Sequence, residues 1–302
     1  MKCPEHAQFR HIHVEITNRC NLRCGFCPGT TRPKTDMTLD EFRAILEQVA
    51  SLTSQLSLHV LGEPLLHPRL EAMLAACRQA GLSVNLTTNA TLLAAHEDML
   101  LAAPALRQIN FSLQALEQIP ATRPDPLDAM LRLTTRALTE RPDLYINYRW
   151  WAMASLQTAM ADPTIIRHLQ RLGQTLELDL QPPPPGRKSI RLRGRVYLHR
   201  DTLFSWPGDA SGQTRNTGFC HALSTHCAIL ADGTVCPCCL DADGRLGLGN
   251  IHDTPLTQIL ARPKTVAMRD GFAAGLLVED MCRRCTYCRR FRTPSRPRTS
   301  RP

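Results

Sequence analysis

The chain has 302 residues, 43% of them apolar and 5% aromatic, with a formal net charge of +9 at pH 7. That is enough apolar material for one large domain, or for a medium domain with a small appendage. No run approaches the roughly 18 consecutive apolar residues of a membrane span, and Met1–Arg10 lacks the apolar stretch of a secretion signal, so a cytoplasmic protein without a membrane partner is expected. Thirteen cysteines would suggest disulfides in a small secreted chain, but the larger size, the odd number and the missing signal point to metal–thiolate chemistry. The positive charge suits an anionic partner such as nucleic acid, an acidic peptide or a phosphorylated metabolite. Part of the excess, however, is Arg289, Arg290, Arg292, Arg296, Arg298 and Arg301, most of it in a Pro/Ser/Thr-rich end that reads as a basic disordered tail over 291–302.

In chain order, alternating β-branched residues predict a strand at His13–Thr17, followed by a polar, cysteine-bearing loop to about residue 36. Thr38 and Glu41 form a capping-box pattern ahead of Phe42, Ile45, Leu46 and Val49, which share one face of a helix running to about Leu52. Strands are predicted at Leu56–Leu61, Ser83–Thr87, Gln108–Leu113, Tyr145–Trp151 and Leu176–Leu180. Helices are predicted at Pro68–Ala80, Leu92–Ala102, Leu127–Thr139 and Thr164–Leu172. Six strands joined by helices imply an α/β fold with a parallel sheet, open or curled into a partial barrel. Four consecutive prolines, Pro182 to Pro185, then mark a domain edge. Beyond them the alternation fades, glycines accumulate and eight of the thirteen cysteines appear, as expected of a small metal-stapled domain over 182–290.

The first cysteine group, Cys20-Asn-Leu-Arg-Cys24-Gly-Phe-Cys27, follows directly on the first strand. Loops at the C-terminal ends of parallel strands are where α/β folds build active sites. Three thiolates on a four-iron cluster leave one iron open, as a catalytic metal site requires. This Cys-x3-Cys-x-aromatic-Cys arrangement, with Phe26 in the aromatic place, resembles the signature of the radical S-adenosylmethionine superfamily. The resemblance implies a partial (β/α)6 TIM-type barrel over residues 1–181. It also implies a [4Fe–4S] cluster on Cys20, Cys24 and Cys27 whose open iron chelates S-adenosylmethionine and cleaves it to a 5′-deoxyadenosyl radical. A structural zinc loop would need a fourth ligand, and the nearest candidates, His11 and His13, lie on the strand before the loop.

Later strand ends carry supporting motifs. Leu61-Gly62-Glu63-Pro64 resembles the family's Gly-Gly-Glu-Pro motif, with leucine for the first glycine, and implies contact of Gly62 and Glu63 with the amino group of S-adenosylmethionine. Thr87-Thr88-Asn89 resembles the family's Thr-Asn-Gly turn, with Ala90 in place of glycine. Ser112 and Asn147, on the fourth and fifth strands, are small polar residues in an otherwise apolar barrel, able to bond the cofactor or simply one another. The cofactor-binding set expected is thus Phe26, Gly62, Glu63, Thr88, Asn89, Ser112 and Asn147. His59 and His67 flank the Gly62-Glu63 pair and are read as core or surface residues.

In the second cysteine group, Cys220 precedes a hairpin signal at Asp232-Gly233, then come Cys236, Cys238 and Cys239, and finally Cys282, Cys285 and Cys288. The pattern resembles the auxiliary-cluster modules called SPASM and twitch domains. It implies a second [4Fe–4S] cluster on Cys220, Cys238, Cys282 and Cys285, with Cys227, Cys236, Cys239 and Cys288 in surplus. Structural zinc is the competing reading, because Cys-x-Cys with Cys-x2-Cys also makes a tetrahedral thiolate site.

Together these features point to an oxidoreductase or maturase-type radical enzyme that abstracts a substrate hydrogen, for net oxidation or crosslinking of a peptide or small polar metabolite. The resemblance implies a flavodoxin- or ferredoxin-type electron donor. Only about eleven residues precede the first strand, so leader-guided peptide modification is the less expected route. The alternatives are a zinc-knuckle nucleic-acid-binding protein, for which the aromatic content is low, and radical modification of RNA.

Overall fold

The computed structural model describes residues 9–119, 125–152, 163–180, 188–202, 204–207 and 214–291. Ten strands form one sheet: β1 (Ile12–Val14), β2 (Gln55–Ser57), β3 (Ser83–Thr88), β4 (Leu106–Ser112), β5 (Tyr145–Ala152), β6 (Ser189–Arg193), β7 (Val196–Thr202), β8 (Ala228–Ile229), β9 (Thr234–Cys236) and β10 (Gly249–Asn250). Their spatial order is β10-β9-β8-β1-β2-β3-β4-β5-β7-β6. The run β1-β2-β3-β4-β5-β7 is parallel throughout and forms the six-stranded partial barrel. The helices that return the chain between these strands are α1 (Leu39–Val49), α2 (Leu70–Gln79), α3 (Glu97–Ala102), α4 (Pro126–Glu140) and α5 (Pro163–Leu176).

The capping box at Thr38 forms as expected. Thr38 Oγ1 accepts from Glu41 N–H, while the Glu41 carboxylate accepts from Thr38 N–H at 2.8 Å. Phe42, Ile45, Leu46 and Val49 then bury their helical face, and burying each such side chain contributes about 1.5 to 3 kcal/mol. On the strands, alternation separates two faces. Val84, Leu86, Ile109, Phe111, Ile146 and Tyr148 are buried in the main apolar core. Asn85, Gln108, Asn110, Asn147, Arg149 and His199 instead line the chamber on the other face of the sheet.

One expectation needs correction. The strand predicted at Leu176–Leu180 does not form: α5 continues through Leu176, Glu177 takes a left-handed φ of 55°, and Leu178 N–H returns to the Gly173 carbonyl at 2.9 Å. The alternation of Leu-Glu-Leu-Asp-Leu imitates a strand, but no strand among the described residues pairs with it. The sixth parallel strand is β7, reached through an antiparallel hairpin with β6 that turns at Gly194, φ 53°. The boundary expected at 181/182 falls outside the described residues, and the segment after it, assigned from sequence to the cysteine-rich part, supplies that sixth strand. The cysteine-rich part also joins the sheet, since β8 pairs in parallel with β1. It carries three helices of its own, α6 (Leu256–Ala261), α7 (Pro263–Ala273) and α8 (Asp280–Arg284). The tail expected at 291–302 lies outside the described residues beyond Phe291.

Candidate active site and thiolate centres

The loop after β1 is held by one buried carboxylate. Glu15, with no exposed surface, receives Arg32 Nη2 on both oxygens at 2.8 and 2.7 Å, Leu61 N–H at 3.2 Å and Ala231 N–H at 3.1 Å. Burial pushes the Glu15 carboxyl up, and Arg32 and the two amides pull it back. Arg32 also donates from Nε to the Ala242 carbonyl at 3.0 Å. Thr30 donates to Asp243 at 2.7 Å, and Trp206 Nε1 donates to the Phe26 carbonyl at 3.0 Å. The cysteine loop is therefore seated on β1, on the segment after β2 and on the C-terminal part at once. Neither Glu15 nor Arg32 was singled out from sequence. A carboxylate inside an apolar strand, with an arginine in the following loop, was the available signal.

Cys20, Cys24 and Cys27 open on a cavity of about 560 Å³, whose wall includes Phe26, Gly62, Glu63, Thr88, Asn89 and Ser112. All the expected cofactor-binding residues meet there except Asn147. Asn147 sits mid-strand on β5, donates to Asn110 Oδ1 at 3.0 Å and lines the neighbouring chamber. Gly62, at φ 79°, passes so close to the cysteine loop that a Cβ would lie 2.2 Å from the Thr17 carbonyl oxygen. Glu63 N–H donates to the Arg19 carbonyl at 2.8 Å, locking the two segments together.

The Glu63 carboxylate is 1% exposed and already engaged. It accepts from Thr88 Oγ1 at 2.7 Å, Asn89 N–H at 2.7 Å and Leu65 N–H at 3.1 Å. Burial raises its pKa to about 7 against these hydrogen bonds. It joins the ends of β2 and β3 and shapes the wall. Asn89 donates to Asn21 at 3.0 Å and lies 3.8 Å from Cys20 Sγ. Ala90 takes the left-handed φ of 62° that a glycine would adopt freely.

A second chamber of about 610 Å³ shares Phe26, His59, Ser112 and Trp206 with the first. Its floor holds a histidine group. His11 and His13 place their Nε2 atoms 3.1 Å apart, His226 stacks on His11 with centroids 5.6 Å apart, and His59 meets His13 edge-on at 5.4 Å. Burial lowers His11 and His13 to about 4 and His226 to about 3. His59, read from sequence as core or surface, faces both cavities and has no partner for Nδ1. His67 is structural, bonding the Met37 carbonyl at 2.9 Å. Across-sheet proximity, invisible in sequence, is what assembles the group.

The second cysteine group surrounds a small space of about 50 Å³ lined by all four expected ligands, Cys220, Cys238, Cys282 and Cys285, and also by Cys239 and Cys288. Burial and neighbouring thiolates together push Cys238 well above its ordinary range and Cys282 to about 12. Such crowding favours metal ions, which take thiolates as ligands. The hydrogen bond shared with Cys285, aided by Arg215, holds the Cys288 thiol below its ordinary range. Cys227 and Cys236 are wholly buried and do not line this space. Among the described residues no three His, Cys, Asp or Glu side chains converge as a ready-made metal site. The fit to the two clusters therefore rests on which thiols line which space: three at the mouth of the barrel, six around the closed pocket.

Residues 14–143 match the radical SAM superfamily, and residues 220–289 match the SPASM iron–sulfur cluster-binding domain. Among curated proteins, the chain is 32% identical over 113 residues to the tungsten-containing aldehyde ferredoxin oxidoreductase cofactor-modifying protein of Pyrococcus furiosus, covering 35% of this chain and 31% of that one. It is 33% identical over 117 residues to the GTP 3′,8-cyclase of Synechococcus sp., covering 37% and 34%. The chain thus spans about a third of the length of these relatives. Among solved structures, BtrN in complex with AdoMet and 2-DOIA has a TM-score of 0.56 at 16% identity, over 93% of this chain and 94% of that one. SuiB of Streptococcus suis bound to S-adenosylmethionine has a TM-score of 0.60 at 16% identity, over 94% and 74%. No described helix is long and apolar enough to cross a membrane. With the three-cysteine loop at the barrel mouth and the thiol-lined pocket beyond the chamber, this chain carries a radical SAM domain over residues 14–143 and a C-terminal SPASM iron–sulfur cluster-binding domain over residues 220–289.

Proposed function

We propose that the chain catalyses a radical-initiated net oxidation of a substrate bound in the histidine-floored chamber, the substrate being a peptide side chain or a small polar metabolite. One observation carries this reading: the chamber shares walls with both thiolate centres. Phe26, Ser112 and Trp206 connect it to the Cys20/Cys24/Cys27 cavity, while Cys239, Leu240, Tyr287 and Phe291 connect it to the second pocket. Cys20, Cys24 and Cys27 would hold the catalytic [4Fe–4S] cluster, and Gly62, Thr88, Asn89 and Ser112 would border S-adenosylmethionine. Bound there, the pair supplies a 5′-deoxyadenosyl radical able to take a hydrogen atom from carbon.

Net oxidation further requires the substrate to release a proton and an electron. The chamber-floor imidazoles, held neutral by burial, can accept a hydrogen bond from the substrate group that loses its proton, and Cys220, Cys238, Cys282 and Cys285 would hold an auxiliary cluster able to take the electron. Phe26, Trp206 and Leu240 wall the chamber with apolar surface and limit water around a radical. A flavodoxin- or ferredoxin-type donor would supply the reducing electron. The peptide option is supported by the fold of SuiB, solved with the precursor peptide SuiA, and the small-molecule option by that of BtrN.

The test is anaerobic reconstitution followed by reduction. The chain should form 5′-deoxyadenosine from S-adenosylmethionine, and Cys24→Ala should lose this by at least two orders of magnitude. About eight irons per chain are expected, for two four-iron clusters. About four irons with one zinc would remove the auxiliary cluster from the reading, and undiminished cleavage by Cys24→Ala would overturn the assignment of the loop.

A further inference from the structure

We infer that the chamber selects a small substrate bearing an anionic group, carboxylate or phosphate, and that Arg149 is the residue that anchors it. The inference deepens the reading above and rests on it for the identity of the chamber as the substrate site. Among the described residues that line the chamber there is no aspartate or glutamate, whereas Arg10, Arg149 and six histidines (His11, His13, His59, His199, His221 and His226) do line it. A cavity walled by one sign of charge raises the local concentration of the opposite sign.

Arg149 is the centre of that asymmetry. It stands on the inward face of β5 between Asn147 and Trp151, and its guanidinium lies over the Trp151 ring at 4.6 Å. No carboxylate among the described residues forms an ion pair with it. Asp201, the carboxylate whose field reaches it, is held by Lys188 at 3.0 Å and Arg290 at 3.1 Å. Tyr287 and Cys239 also face it, as do His13, His59 and His199, whose charged forms its field disfavours. Burial lowers the Arg149 pKa, the signature of a cation whose water has been removed without a counter-charge in return. By contrast, Arg32 is answered by Glu15 and Arg171 by Asp125. A guanidinium over an indole still presents N–H groups as a planar fork, the geometry that takes a carboxylate or phosphate through two hydrogen bonds.

The neighbours fit the same ligand. Asn85, Gln108, Asn110 and Asn147 offer amide groups for hydroxyls on the rest of the molecule. The neutral histidines add donors and, as the anion enters, gain basicity from its field. A chamber of about 610 Å³ is the size that encloses a single small molecule rather than a folded partner.

The proposal is tested by calorimetric titration of the reconstituted holoenzyme with S-adenosylmethionine present. The probes are gluconate and glycerol 3-phosphate, with glucose and glycerol as their uncharged counterparts, and N-acetylglutamate amide for an acidic peptide side chain. Wild type should bind at least one of the two anionic metabolite probes about tenfold or more tightly than its neutral counterpart, because charge-assisted hydrogen bonds exceed neutral ones by that margin. Preference for gluconate or for glycerol 3-phosphate identifies the anion as carboxylate or phosphate. Arg149→Gln should erase the preference, and Arg149→Lys, which keeps the charge without the fork, should retain part of it. Equal affinity for charged and neutral partners, or an unchanged preference in Arg149→Gln, would overturn the proposal. Tighter binding of the glutamate amide than of every metabolite probe would overturn its small-substrate half. Formation of 5′-deoxyadenosine by the same wild-type preparation separates the two readings. If it occurs while the anion preference is absent, this inference alone fails; if it does not occur, the radical reading itself fails.

Discussion

A methyl group at position 62 would press against the Thr17 carbonyl oxygen at 2.2 Å and would have to hold a φ of 79°. Gly62→Ala should therefore cost about 2 to 5 kcal/mol in chemical denaturation, the sum of left-handed strain and overpacking against rigid backbone. The loss should fall on the cysteine loop first, since that backbone is what the methyl displaces. Arg32 makes a different case. Arg32→Met leaves the buried Glu15 carboxylate without its cation and should destabilise by about 3 to 5 kcal/mol. Adding Glu15→Gln removes the orphaned charge and should recover part of that loss, so a denaturation series on the two single variants and the double variant reads the coupling directly. Gly62 was legible in sequence through its motif. The Glu15–Arg32 pair was not, because the partners stand 17 positions apart in sequence and nothing in their spacing says that the loop folds back.

At the scale of elements, β1 carries a titration with a defined sign. His13 is neutral in the folded chain down to about pH 4, whereas an unfolded histidine titrates near its ordinary value of 6.5. As pH falls, the unfolded chain binds this proton first. The stability is present in full above about pH 6.5 and is lost as pH drops toward 4, by about 3 kcal/mol for this one group. His11, His59, His226 and Arg149 surround it, so a positive charge there is answered by the His59 carbonyl, 3.2 Å from Nδ1, and by no carboxylate among the causes of its shift. His13→Gln should show a shallower loss of melting temperature between pH 7 and pH 5 than wild type. The helices were the elements most readable in advance: the Thr38 capping box and the Phe42, Ile45, Leu46 and Val49 stripe stand where periodicity put them. The strand misplaced at Leu176–Leu180 shows the limit of such reading. Alternation states which residues share a face, but a strand also needs a neighbour, and Val196–Thr202 has β5 while the earlier segment has none among the described residues.

For the whole molecule, the sheet couples the two cysteine-bearing parts. β8 pairs with β1, and the Glu15 carboxylate bonds both Leu61 and Ala231. A chain ended after Arg195 would lose β7 from one side of the barrel and β8 from the other, exposing the eight-residue edge of β5 and the short edge of β1. Such a truncation should be recovered as aggregate, or with the exchange protection of its remaining strands lost, in a comparison with the full chain by hydrogen exchange.

Cysteine chemistry, the β/α rhythm and the site at the end of the first strand followed from sequence alone. Thiolate spacing, strand alternation and helix caps are local properties, each written within a few residues of the atoms that express it. The chamber belongs to the tertiary structure. His11, His13, His59 and His226 come from three separate strands or their flanks, Arg149 from a fourth, and Cys239 and Tyr287 from the far end of the chain. Only the pairing of parallel strands, with inward residues facing one another across the curve of the sheet, decides that these groups share one space and that no carboxylate among the described residues joins them there.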